Sequence, residues 1–146
     1  MLPANLTRWI VASVTDYLQT NKGSYSLYTE SETPAGKEYA ELRLDGPRSR
    51  KVHNMYSLTI DVGILCTIIL DTDIYKPHSM VGHFQSKLDS EITVRKFGEP
   101  GNPILGCLRP VGDIDILQYG FKNAETKAFQ IGVEASFKME LNNGSY

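Results

Sequence analysis

A long run of alternating side chains, from Tyr56 to Leu70, constrains the fold of this chain more than any other feature. Polar residues occupy the first positions between its apolar residues, namely Ser57, Thr59 and Asp61. Because successive side chains of a strand point to opposite faces, the run predicts one long strand with a buried face. From Leu65 onward both faces are apolar, which predicts that this end lies beneath a helix or another subunit. The apolar positions are Tyr56, Leu58, Ile60, Val62, Ile64, Cys66, Ile68 and Leu70.

This strand is longer than the diameter of the domain that should contain it. Extended residues rise about 3.4 Å each, so the run would span about 50 Å. A compact globule of 146 residues has a diameter of roughly 38 Å. The strand must therefore bend, with a bulge near Gly63 as one solution, or project beyond the core. A projecting apolar face needs a partner, which favours assembly over a strongly twisted monomer.

The other patterns predict two helices and several further strands. Apolar residues recur at helical spacing over residues 4–20 and 77–88. A second alternating run covers residues 129–141, and strict alternation is typical of antiparallel sheets. Shorter strands are predicted at residues 24–30, 39–45, 91–97, 104–108 and 114–119. The sequence thus predicts a single α+β domain over residues 1–146, with a mainly antiparallel twisted sheet, two helices packed on one face and long protruding strands.

Composition and charge exclude several classes of protein. The formal net charge of -2 argues against a dedicated nucleic-acid binder, which is usually strongly basic. Cys66 and Cys107 match no metal or redox spacing and are predicted to be buried thiols. The first residues lack the pattern of an export signal, and no apolar run is long enough for a membrane span. We expect a soluble protein that is made in the cytoplasm and does not contact a membrane.

Motifs for catalysis or metal binding are absent from the sequence. It contains no glycine-rich phosphate loop, HExxH motif or nucleophile elbow. His78 and His83 lie five positions apart and so do not share a helix face as paired ligands would. Two acidic pairs fit strand-end turns and solvent-facing positions better than cation sites, namely Asp71 with Asp73 and Asp113 with Asp115. We expect no catalytic residues, no metal and no cofactor.

A basic segment, LRLDGPRSRKVH at residues 42–53, surrounds an Asp-Gly-Pro turn signal. Its position after one predicted strand and before the longest one predicts a connecting loop near the protruding end of the sheet. On a single slightly acidic chain such a loop is most simply solvated. Repeated around a ring, it would form a positive band able to meet an acidic partner or DNA. We therefore predict an interface at Arg48, Arg50 and Lys51.

The ordered pattern of the chain resembles the tail terminator, or neck, proteins of tailed bacteriophages. The resemblance covers nearly the whole length and comprises an amphipathic start, a strand and turn, the long alternating strand, a second helix and a closing strand. The segments that carry it are LTRWIVASVTDYL, AELRLDGP, MYSLTIDVGILCTII, PHSMVGHFQSKL, ITVRKFG, LGCL and AFQIGVEASFKMEL.

This resemblance implies a structural virion protein rather than an enzyme. Members of the family form a ring, typically a hexamer, at the head-proximal end of the tail. The ring stops polymerisation of the tail tube and joins the tail to the head-side connector. The implied partners are other copies of the chain, the tail tube protein and the connector protein. Genomic DNA would pass through the lumen without sequence-specific binding, and the protein would be made in the host cytoplasm before joining the virion.

Two other hypotheses about function are compatible with the sequence. One is a small ligand-binding or enzymatic α+β domain of unknown substrate, with Asp71, Asp73 and His78 lining its site. The other is a nucleic-acid module built on the basic segment. The second reading predicts steeply salt-dependent binding by the isolated protomer, which the net charge disfavours.

Overall fold

The computed structural model describes residues 2–123 and 125–142, which form two helices and one six-stranded sheet. The sheet order is β1-β2-β3-β6-β5-β4, with β1 parallel to β2 and every other pair antiparallel. The predicted α+β fold with a mainly antiparallel twisted sheet is confirmed. The elements are α1 (Leu6–Thr20), β1 (Leu27–Tyr28), β2 (Glu38–Val52), β3 (Met55–Ile69), α2 (Lys76–Leu88), β4 (Ile92–Arg95), β5 (Ile104–Asn123) and β6 (Ala128–Asn142).

The core lies on one face of the sheet, beneath both helices. The apolar positions of β3 from Leu58 to Ile68 are buried and lie beside the buried residues of β6. Ile10 of α1 and Phe84 of α2 are fully buried in the same cluster. The two helices therefore cover the same face of the sheet, and each buries its one apolar side against it. Among the described residues, no helix is long and apolar enough to cross a membrane.

The other face of the sheet carries no helix within the described residues, and we call it the open face. Its side chains are those that alternate with the core residues, such as Asp61 on β3 and Glu134 on β6. These two side chains are half-buried and exposed, respectively. The polar half of the alternating pattern thus faces solvent across a sheet whose four long strands have 15 to 20 residues.

The basic segment is part of β2, so the prediction of a loop there is wrong. Asp45 lies opposite Asp61 and Arg48 lies opposite Thr59, which leaves Gly46 and Pro47 as a bulge. Gly46 takes a φ of +104°, a conformation that favours glycine, and so the turn signal produces a bulge within a continuing strand. The chain reverses only at residues 53–54, between β2 and β3. We call this hairpin, residues 48–59, the arm, and residues 50–55 its tip.

Of the two ways proposed for accommodating the long strand, a bulge near Gly63 is wrong. β3 pairs with β6 from Met55 to Ile69 without a shift of register. The irregularity lies instead on the partner strand, at Gly46 and Pro47. A Cβ added at Gly63 would make ordinary van der Waals contact, 3.7 Å from the Cγ of Glu134, so space does not require glycine at this position.

The two short strands predicted at residues 104–108 and 114–119 form a single strand, β5. Pro110 and Gly112 lie between the two predicted strands. Pro110 keeps its place in the ladder opposite Phe137, and Gly112 lies in a register shift between Val111 and Asp115. Gly112 has a φ of +72°, which allows the chain to bulge and continue.

Only one of the two cysteines is a buried thiol. Cys66 lies in the core, where burial raises its pKa to about 12. Cys107 is exposed on β5, so the prediction of a second buried thiol is wrong. Its neighbours Gly106 and Leu108 face the core side instead. A Cβ added at Gly106 would lie 3.0 Å from the Sδ of Met139, and Leu108 is fully buried.

Candidate functional site: the open sheet face

The register of four strands brings charged residues that are distant in sequence into neighbouring rows on the open face. β6 lies between β3 and β5, so residues from the middle and the end of the chain become neighbours. One row contains Arg43, Gly63, Glu134 and Asp115, and the next contains Asp45, Asp61, Ser136 and Val111.

A surface groove with a volume of about 500 Å³ crosses these two rows. Of the charged side chains that line it, Arg43 is the sole cation within the described residues. We call this cavity the acidic groove, after the carboxylates of Glu30, Asp45, Asp61, Asp113, Asp115 and Glu134. A smaller pocket of about 100 Å³ adjoins it, where Arg43 and Glu134 meet an apolar surface formed by Leu65, Leu117, Tyr119 and Gly132.

Asp61 is the most firmly held carboxylate of the groove. The Ser136 hydroxyl donates a hydrogen bond of 2.6 Å to its Oδ1, and the Arg48 guanidinium donates one of 2.9 Å to its Oδ2. Arg48 also contacts the Asp45 carboxylate at 3.4 Å. The Ser136 hydrogen bond, followed by the contacts with Arg48, lowers the pKa of Asp61 below its ordinary value of 3.8. This network joins β2, β3 and β6 on the open face.

Removing the hydroxyl in Ser136→Ala should raise the pKa of Asp61 towards its ordinary value. A carboxylate with a lowered pKa contributes stability above its unfolded pKa and loses it as pH falls through the folded pKa. The variant should therefore lose part of the pH dependence of the unfolding free energy below about pH 4. NMR titration of the Asp61 carboxyl group would measure the shift.

Ser57→Ala is the matched control for this titration. Ser57 lies on the same face of β3 and makes no side-chain hydrogen bond within the described part of the chain. The control should leave the pKa of Asp61 unchanged. An equal pKa in Ser136→Ala and the wild type would show that the hydroxyl does not stabilise the carboxylate.

Four carboxylates of the acidic groove have no ion-pair partner among the residues that the structure describes: Glu30, Asp113, Asp115 and Glu134. Across residues 2–123 and 125–142, no three Asp, Glu, His or Cys side chains are placed to hold a metal ion. The groove is therefore a region of negative potential whose carboxylates are spread over several strands.

The three predicted interface residues do not form one cluster. Arg48 and Arg50 lie opposite Thr59 and Ser57 and so face the open side, whereas Lys51 lies opposite Tyr56 on the other side. The Lys51 Nζ is 5.9 Å from the centre of the Tyr56 ring. Arg48 is already paired with two carboxylates.

The free cations of the arm are thus at its tip. Arg50 and Lys51 have no ion-pair partner in the described part of the chain, and the Lys51 ammonium lies near the Tyr56 ring. Two apolar residues beside them are also accessible, with Val52 46% and Met55 37% exposed. The tip therefore combines unpaired positive charge with exposed apolar surface.

The other candidate residues have local structural roles. The carboxylates of Asp71 and Asp73 accept hydrogen bonds from backbone N–H groups in the turn before α2, at 3.2 and 2.9 Å. His78, in the first turn of α2, shares a hydrogen bond of 3.3 Å with the Gln118 side chain. His83 Nε2 lies 2.8 Å from the carbonyl oxygen of Asn21. These contacts explain both acidic turn residues and both histidines without a ligand.

Comparison with known proteins identifies the fold alone. No protein-family model matches the chain, and no curated protein matches it. Eight chains of solved structures are similar. One of them, whose name states no function, is 8% identical, with a TM-score of 0.52 over 94% of this chain and 96% of that chain. A likeness at this identity says nothing about function.

Proposed function

We propose that this protein is a structural virion protein that forms a ring, of six copies, at the head-proximal end of a phage tail. In this role the ring ends polymerisation of the tail tube and joins the tail to the head-side connector. DNA passes through its lumen without sequence-specific contacts. The chain acts through its surfaces, as an assembly protein rather than as an enzyme.

The observation that carries the proposal is the open face, a broad charged sheet surface that extends into the arm. From Arg48 to Met55 every residue is exposed, although all but the two turn residues belong to paired strands. These exposed residues contribute little to the core of their own chain, in contrast to Leu58 on the β3 side of the arm, which is buried. Such a surface suits a protein that stabilises itself further against other copies.

The element order supports the same role. The segments that resemble terminator proteins correspond to α1, β2, β3, α2, β4, β5 and β6. The negative net charge also suits this role, because DNA that passes through a lumen must not be held there.

The test is the assembly state of the purified protein, with and without tail tubes. We expect native mass spectrometry to show one closed oligomer, and electron microscopy to show rings. Added to growing tail tubes, the protein should bind one end of each tube and stop elongation. A tube-length distribution measured with increasing protein would show the arrest.

A heat-unfolded sample of the same protein is the control for non-specific capping of the tubes. A protein that stays monomeric at high concentration and never associates with tube ends would contradict the proposal. Rings that form but leave tube growth unchanged would contradict the terminator role.

A further inference from the structure

We propose that the arm tip of one copy docks onto the open face of a neighbouring copy, over its acidic groove. This inference rests on the proposed ring and names the two surfaces that build it. The occupant of the groove is a second copy of this chain, and the contact joins two different surfaces.

Charge complementarity is the first argument. The groove presents Glu30, Asp113, Asp115 and Glu134 without ion-pair partners in the described part of the chain. The tip presents Arg50 on the open side and Lys51 on the other side of its end, and neither charge is matched by a described carboxylate. Opposite potentials of this kind orient two surfaces and fix their register.

Apolar complementarity is the second argument. Val52 and Met55 are exposed beside the tip cations. The apolar surface of Leu65, Leu117 and Tyr119 lies beside the acidic groove, and Tyr119 is 59% exposed. A tip that places its cations over the carboxylates can therefore cover a neighbouring apolar surface as well, which is the usual composition of an interface.

The placement of the two surfaces favours a head-to-tail contact. The tip ends β2, whereas the groove crosses the middle of β2 and β3, so the rigid strands keep the tip of a chain away from its own groove. Each copy then offers one tip and one groove, and repetition of this contact closes a ring when the rotation between copies permits.

Pairing of sheet edges is a weaker alternative. The exposed edge of β2 is interrupted by the bulge at Gly46 and Pro47, and β5 has three register shifts along Arg109–Asn123. Bulges of this kind protect an edge from adding a foreign strand. Contact between faces uses the surface that these irregularities leave accessible.

A charge-exchange experiment tests the proposal. The arm variant carries Arg50→Glu and Lys51→Glu. The groove variant carries Asp113→Lys, Asp115→Lys and Glu134→Lys, which leaves more cations than carboxylates in the groove. Each alone opposes like charges at every contact, and we expect its self-association to weaken roughly 100-fold. Mixed in equal amounts, the two should assemble again with strict alternation, because every contact then joins opposite charges. Native mass spectrometry would detect equal numbers of each variant in each oligomer.

The matched control is Lys37→Glu with Lys122→Glu, which reverses two exposed cations away from the tip and should leave association near the wild-type level. Circular dichroism would establish that every variant is folded. The docking proposal would be overturned if the arm or groove variant self-associated as strongly as the wild type. It would also be overturned if the mixture of the two variants did not assemble. Recovery of the mixture as open filaments, or as rings that do not bind tail tubes, would support the docking and contradict the proposed function.

Discussion

Replacing Phe137 by alanine should lower the free energy of unfolding by about 3–5 kcal/mol. Phe137 is fully buried on the core side of β6, opposite Ile60 of β3 and Pro110 of β5. The change removes a large apolar side chain and leaves a cavity that a sheet held from both sides cannot close. Because domains of this size are stable by only about 5–15 kcal/mol, this one change removes a large part of the total.

Phe121→Ala is the control for this prediction. Phe121 is 54% exposed on β5, and the centre of its ring lies 5.7 Å from that of Phe129 in an edge-on arrangement. Its loss should cost less than about 1 kcal/mol. Urea unfolding at matched protein concentration would compare the two, since self-association would add to apparent stability. Similar losses in both variants would show that Phe137 does not occupy a rigid core.

The alternating patterns were sufficient to predict the fold class and the sides of the sheet. The run from Tyr56 to Leu70 and the run at residues 129–141 correspond to β3 and β6, and their apolar positions from Leu58 to Ile68 and from Ile131 to Leu141 are buried. A two-residue period depends only on the direction of successive side chains, so it survives without knowledge of topology. The two helices were predicted for the same reason, from a period of 3.6 residues.

The errors lie where glycine and proline occur inside strands. Gly46 and Pro47 belong to a turn signal, and the sequence therefore predicted a loop there. Pro110 and Gly112 lie in the gap between the two short strands that were predicted. Whether such residues end a strand or produce a bulge depends on whether a partner strand continues alongside. Both β3 and β6 do continue, and this information is contained in tertiary pairing rather than in local sequence.

The acidic groove was not predicted, for a related reason. Asp113 and Asp115 were identified as an acidic pair, but Glu30, Asp61 and Glu134 belong to other parts of the chain. They meet because β6 inserts between β3 and β5, an order that sequence patterns do not reveal. The interface residues were affected similarly, since the bulge decides which cations of the arm face the groove side.

That bulge is the basis of the second large effect, an expected loss of about 3 kcal/mol in Gly46→Ala. Gly46 has a φ of +104°, where a side chain is strained. An added Cβ would also lie 3.0 Å from the Thr59 carbonyl oxygen and 3.0 Å from the Arg48 backbone nitrogen. Both neighbours belong to the ladder between β2 and β3, so relief requires movement of the paired backbone at the base of the arm.

Gly36→Ala separates the two causes. Gly36 has a similar φ of +94°, but its added Cβ would meet nothing within 4 Å. It should lose about 1 kcal/mol, from backbone strain alone. If the additional loss at Gly46 comes from the ladder, amide hydrogen exchange should accelerate at Thr59 and Arg48 in Gly46→Ala and remain unchanged there in Gly36→Ala. Equal losses in the two variants, with unchanged exchange along the arm, would mean that the bulge accommodates a side chain and does not fix the register of the arm. Arm position would then depend on the Arg48–Asp61 ion pair and the strand pairing beyond it, rather than on the glycine.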